Sequence, residues 1–102
     1  MEGNKKLAKE LSELKESKNM NKIGNELFGF VTSGKVYKIS RFVKIYPNII
    51  THRNAMGNNI IHYIIQKGDK DDLRNILSDP IFEFLLQKQN IFGETPLEYA
   101  KK

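Results

Sequence analysis

Gly34 and Gly68 lie 34 residues apart, and each is followed by apolar residues at the same offsets. Ile39, Phe42 and Val43 follow the first; Leu73, Ile76 and Leu77 follow the second. A period of this length constrains a fold strongly, because one such unit cannot bury its apolar face alone and must stack on its neighbour. A second pattern is interleaved with the first. Ile50, Asn54 and Gly57 recur as Leu86, Asn90 and Gly93, 36 residues on. The two additional residues are expected in a loop around Asp79 to Gln89.

One unit reads as a turn followed by two short helices. Asn-x-x-Gly is turn chemistry, with asparagine tolerating the bend and glycine supplying positive φ. Asn59 and Thr95 suit the N-cap position, and Pro96 the first helical position. Ile60, Ile61, Ile64 and Ile65 form an apolar helix face that Gly68 terminates. A second helix starts near Asp69 to Asp72, with acids at its positive end. Leu73, Ile76 and Leu77 are its expected buried stripe, and truncating Ile61 or Leu77 is expected to be costly. Asp79-Pro80 ends it. The following stretch, Asp79 to Leu86, reads as a further short helix with Ile81, Phe84 and Leu85 on one face. Phe82 is then either packed under the loop or left exposed as a contact.

These units resemble the ankyrin repeat. Asn90-Ile91-Phe92-Gly93-Glu94-Thr95-Pro96-Leu97-Glu98-Tyr99-Ala100 carries the family's Gly-x-Thr-Pro-Leu-x-x-Ala core, and departs from it at Glu98, where histidine is usual. Asn59-Ile60-Ile61-His62 stands where Thr-Pro-Leu-His is usual, and Ile64 replaces a small alanine. The first unit keeps only its helix faces: Leu27, Phe28 and Val31, then Val36, Ile39, Phe42, Val43 and Tyr46, with Pro47 closing it. The resemblance covers Asn21 to Lys102. It implies an all-α, short helix-turn-helix solenoid of two full repeats and a partial one, spanning 21–53, 54–89 and 90–102. The last unit ends after its first helix, so either the array continues or the half unit serves as a cap; a piece of a longer chain is the favoured expectation.

The segment Lys5 to Lys18 reads as an amphipathic helix with Leu7, Leu11 and Leu14 at helical spacing. Residues 1–20 are accordingly expected to form a capping helix over the first repeat. A partner-binding or dimerising helix and a frayed terminal helix remain open.

Function follows from what the residues allow. His52 and His62 are the only histidines, and they lack metal-ligand spacing. The resemblance gives His62 a structural role, bonding a neighbouring turn, with the Asn59 amide replacing the usual threonine hydroxyl. Isolated glycines make no phosphate-cradling loop, and Asp69, Asp71 and Asp72 suit a helix dipole. No catalytic constellation, cofactor site or metal site is expected.

In ankyrin-like stacks the turn tips and the exposed face of the first helix form the binding surface. The resemblance maps that surface onto Arg53, Ala55, Met56 and Asn58, onto Gln66 and Lys67 on the helix, and onto Ile91, Phe92 and Glu94. Met56, Ile91 and Phe92 stand out, because apolar side chains at solvated tips are unfavourable unless packed or bound. Phe92 is either a contact or a cover for the inserted loop.

The rival surface is cationic. Lys35, Lys38, Arg41 and Lys44 are spaced by three along the second helix of the first unit. They are either a solvated outer face or a site for phosphate or an acidic protein. The net charge of +5 is too scattered across the chain to diagnose nucleic-acid binding. The chain has no cysteine, which excludes disulfides and thiolate metal sites. Neither a secretory signal nor a membrane span is legible, so a cytoplasmic or nuclear protein is expected. A protein partner is favoured over nucleic acid, and a monomer or a part of a longer chain over an oligomer.

Overall fold

The computed structural model describes residues 2–102, without the side chains of residues 2–4 and 15–17. The described residues are all-α. Helix α1 spans Glu2–Thr32, α2 Ile39–Ile45, α3 Ile60–Lys67, α4 Lys70–Leu77 and α5 Pro96–Ala100. Short 3₁₀ segments occupy Val36–Lys38, Pro47–Thr51 and Pro80–Gln87. Helix α3 packs between α1 and α5, while α4 packs on α3 and on the 3₁₀ segment before α2.

The first helix departs from expectation. It runs unbroken past residue 20, so residues 2–20 form no separate element, and residue 1 of the expected capping helix lies outside the described residues. Its core-facing stripe is Met20, Ile23, Leu27 and Val31, with Leu27 and Val31 buried. Leu7, Leu11 and Leu14 are 59%, 61% and 60% exposed and cover nothing. The reason is angular. At about 100° per residue the leucine stripe lies on the face of α1 roughly opposite the core stripe. The first half of α1 is therefore an overhang, and it caps no repeat.

Gly24 sits within this helix despite its poor helix propensity. A Cβ there would fall on the His52 ring, nearest its Nε2. The missing side chain makes room for the His52 ring, whose edge meets Phe28 at a centroid distance of 5.7 Å. Burial lowers the pKa of His52. Phe28 also stacks on Tyr63 of α3 at 5.0 Å.

The helix pair that follows is built as the spacing predicts. Asn59 caps α3, and Gly68 ends it at φ 80°. Asp69 caps α4, accepting the Asp71 and Asp72 amides at 2.9 and 3.1 Å. Ile60, Ile61 and Ile64 are completely buried. The α4 stripe needs correction. Ile76 is buried and Leu73 half-buried, but Leu77 is 37% exposed. Its counterpart Val43, 34 residues earlier, is 4% exposed. Tyr46, expected on the buried face of the first unit, is 42% exposed.

The inserted residues are not a loop. The 3₁₀ segment Pro80–Gln87 has eight residues where Pro47–Thr51 has five. The additional residues thus lengthen a segment of about 3 residues per turn in place of the expected loop. That periodicity also corrects the buried face. Phe82 and Leu85, three apart, are buried, whereas Ile81 and Phe84 are 40% and 41% exposed. Asp79 caps the segment, and its carboxylate accepts the Ser40 hydroxyl. That bond holds the carboxyl below its usual pKa.

Candidate functional site: a groove between two matched turns

Two turns with the same bonds position the site. Oδ1 of Asn54 accepts the N–H groups of Met56 and Asn58 at 3.0 and 3.1 Å. Oδ1 of Asn90 accepts those of Phe92 and Glu94, both at 3.0 Å. In each turn the asparagine N–H also bonds the carbonyl four residues on, and the glycine N–H returns to the asparagine carbonyl. Gly57 and Gly93 have φ of 73° and 75°, which glycine adopts without strain. An asparagine and a glycine at fixed spacing thus saturate the turn and push the side chains between them outward.

The turns are joined to each other. The Ile91 N–H donates to the Met56 carbonyl at 3.1 Å, and Nδ2 of Asn90 donates to Oδ1 of Asn58 at 3.0 Å. A Cβ on Gly57 would stand 2.7 Å from the Ile91 nitrogen, so this approach requires glycine. Nη1 of Arg53 donates to the Gln89 carbonyl at 2.9 Å. Nδ2 of Asn59 donates to the Leu85 carbonyl at 3.1 Å.

His62 completes the join. Its Nδ1 accepts the Asn59 backbone N–H at 3.2 Å, so the bond expected from the Asn59 amide side chain comes from the main chain instead. The other nitrogen, Nε2, lies 2.8 Å from the Glu94 carbonyl. A donor facing Nδ1 and an acceptor facing Nε2 fix a neutral ring protonated at Nε2. Burial lowers the pKa of His62, and the Glu94 carbonyl partly offsets that. Both nitrogens are spent on structure, which leaves the ring no proton to exchange with a substrate.

Above this framework lies an open groove of about 420 Å³. Its apolar lining is Met56, Ile65, Phe92, Tyr99 and Ala100; Asn58, Gln66, Asn90 and Lys102 supply its polar lining. Of the residues mapped from the sequence, Met56, Asn58, Gln66 and Phe92 are brought together here. Met56 and Phe92 are 48% and 60% exposed. Asn58, expected at an open tip, is 2% exposed because it holds Asn90.

The other mapped residues do not line the groove. Ala55 is exposed at the tip, and Ile91 is 65% exposed beside Gly57. Lys67 is exposed, with Nζ 5.2 Å from the centre of the Tyr63 ring. Glu94 is turned to Lys102, whose Nζ lies 2.8 Å from Oε2. This contact, with help from Asn90, lowers the Glu94 pKa.

Sequence reading missed Ile65, Tyr99 and Lys102. Ile65 was counted with the core, but it is half-buried at the groove wall. Tyr99 repeats Tyr63 at the 36-residue spacing, a signal that could have marked it. Lys102 gathers the site at one end, with Nζ 5.8 Å from the Phe92 ring centre and 5.6 Å from that of Tyr99.

The cationic residues form a second surface. Lys35, Lys38, Arg41 and Lys44 are all exposed. Only Arg41 and Lys44 lie on α2; Lys38 ends the 3₁₀ segment before it and Lys35 precedes that segment, so the four do not run along one helix as the spacing suggested. Lys38 and Arg41 instead border an apolar groove of about 340 Å³ lined by Phe30, Tyr37, Phe42 and Ile45.

Among the described residues no group of three histidine, cysteine or acidic side chains is placed to hold a metal ion. Among the described residues no helix is long and apolar enough to cross a membrane. The chain matches no protein-family model, no curated protein and no solved structure.

Proposed function

We propose that the chain is a protein-interaction module of ankyrin-like repeats, which holds a partner in the groove between its turn tips and first helices. The observation that carries the reading is the gathering of Met56, Ile65, Phe92 and Tyr99 around one open groove. Asn58 and Asn90 spend their side chains on each other, so the site offers a partner mainly apolar surface. Exposed methionine and aromatic side chains over a rigid framework are the usual anchors of protein interfaces. The partner chemistry that fits is an apolar side chain on an extended or helical segment, flanked by groups that bond Gln66 or Lys102. The reading involves no catalytic step, because no residue in the groove is an activated nucleophile or a free base.

The test starts from peptides selected against the intact chain from a displayed random library. Met56→Asp and Phe92→Asp change exposed side chains and should leave the helix signal intact. Each is expected to weaken the selected peptides by about tenfold or more, as truncating a central apolar anchor does. Unchanged affinity in both folded variants would remove the groove from the account.

The second reading is association with an anionic partner through the surface of Lys35, Lys38, Arg41 and Lys44, all of them exposed. It predicts a steep loss of binding with added salt, whereas binding in the apolar groove changes little.

A further inference from the structure

The turn that ends α1 folds the chain back along it. Gly34, at φ 73°, lets its own N–H reach the Val31 carbonyl at 3.2 Å and that of Lys35 reach the Phe30 carbonyl at 2.7 Å. Val36–Lys38 and α2 are thereby laid against α1. One side of this pair joins the core, with Val36, Ile39 and Val43 buried. Another side is left open as a groove. Half-buried Phe30 and Phe42 meet edge to face at 5.1 Å within it, and Tyr37 and Ile45, each 64% exposed, stand at its margin. A preceding unit of the same period would place its second helix 34 residues before Ile39–Ile45, at residues 5–11, and those residues belong to α1 instead.

Charge lies on the same groove. Lys38 and Arg41 line it, and no acid does; Glu26, exposed one turn before Phe30, is outside the lining. Among the described residues neither cation pairs with an acid. The chain has no acid between Glu26 and Asp69, so the whole segment that builds the groove carries positive charge alone. Two cations beside an apolar recess complement carboxylates flanking an apolar side chain. A bilayer surface calls for a broader cluster of cations. Lys44 is turned about 100° from Ile45 around α2 and is outside the lining. Stacked bases call for open ring faces. Phe42 is instead packed against Phe30 and Tyr46, at interplanar angles of 81° and 53°.

We infer that this groove is a second docking site, for an acidic segment of a partner protein: an apolar side chain enters among Phe30, Tyr37, Phe42 and Ile45, and carboxylates on either side of it pair with Lys38 and Arg41. The inference rests on the anionic-partner reading of this surface and narrows it to two of its four cations. The site shares no residue with the Met56–Phe92 groove, and a peptide held there leaves it free.

The probes are short blocked peptides with one central leucine or phenylalanine between pairs of glutamates. Their controls are the same peptides with glutamine for glutamate, and an all-glutamate peptide of equal length. Amide chemical shifts of the full chain locate the binding. The anchored acidic peptides are expected to move residues 30 and 37–45, to leave 56–58 and 90–92 unmoved, and to bind about tenfold tighter than either control. Changing Lys38→Gln and Arg41→Gln together is expected to weaken them by about tenfold, and Ile45→Ser by about threefold or more. All three side chains are exposed, and circular dichroism checks the fold; the peptide comparison needs no variant and stands if one loses helix. Equal binding of the all-glutamate peptide would overturn the inference and leave the broader anionic-partner reading standing. Equal binding of the glutamine peptides, or unchanged affinity in the folded double variant, would remove the charge match and overturn it. No shift at 37–45 with any acidic peptide would overturn both. A single-stranded oligonucleotide and phosphatidylserine vesicles are titrated in parallel. Tighter binding of either than of the anchored peptides, lost in the double variant, would assign the groove to that partner and overturn the inference.

Discussion

At the scale of single residues, the glycines of the turns separate two demands that a sequence merges. Gly34 and Gly57 share a φ of 73°. A Cβ on Gly34 meets nothing within 4 Å, while one on Gly57 meets the Ile91 backbone. Gly34→Ala therefore measures the left-handed conformation alone, at about 1 kcal/mol or somewhat more. Gly57→Ala adds a backbone clash and should cost roughly 1–3 kcal/mol beyond that. Denaturant melts of the two variants check the difference; equal losses would mean that the turns are not closely joined. Glycine, asparagine and capping residues were legible because their chemistry is local. Asn54, Gly57, Asn59, Gly68, Thr95 and Pro96 all act where their spacing places them. The bond between Asn58 and Asn90 was not legible, because nothing in either residue's neighbourhood announces a partner 32 residues away.

At the scale of elements, the neighbours an element packs against decide what periodicity alone leaves open. Leu73, Ile76 and Leu77 satisfy one helical stripe, but the two sides of that stripe face different neighbours. Ile76 looks into the body and is 3% exposed; Leu77, at the margin of the stripe, is 37% exposed. Ile76→Ala should cost about 2–5 kcal/mol, as for other buried large-to-small changes. Leu77→Ala should cost about 1 kcal/mol or less, as expected of a partly exposed side chain. Comparing their thermal melts at a concentration where the chain is monomeric checks the register of α4, and equal losses would contradict it. The face of Pro80–Gln87 was misread for a related reason. An α-helical period groups Ile81 with Phe84 and Leu85, whereas the 3₁₀ period buries Phe82 with Leu85. The overhang was misread because its leucines were given a helix face without asking where that face points. Reading the phase of Leu7, Leu11 and Leu14 against that of Leu27 and Val31 would have shown them on opposite sides.

At the scale of the whole molecule, α3 lies between α1 and α5, and the turns that precede α3 and α5 are bonded into one platform. The groove above that platform unites residues from both turns with residues from the exposed faces of α3 and α5. Of the groove lining, Met56, Asn58, Gln66 and Phe92 were legible, Met56 and Phe92 because a turn pushes its side chains outward. Ile65, Tyr99 and Lys102 come together only once α5 is laid against α3, which is a long-range consequence of stacking. The same stacking ties Arg53 and Glu94, mapped as contacts, to partners within the chain. The central claim is that binding occurs in this groove, and backbone amide chemical shifts on titrating a selected library peptide test it most directly. The account predicts shifts concentrated at residues 56–58, 65–66, 90–92 and 99–102, with residues 35–45 undisturbed. Shifts centred on residues 35–45, with the turns unmoved, would contradict it.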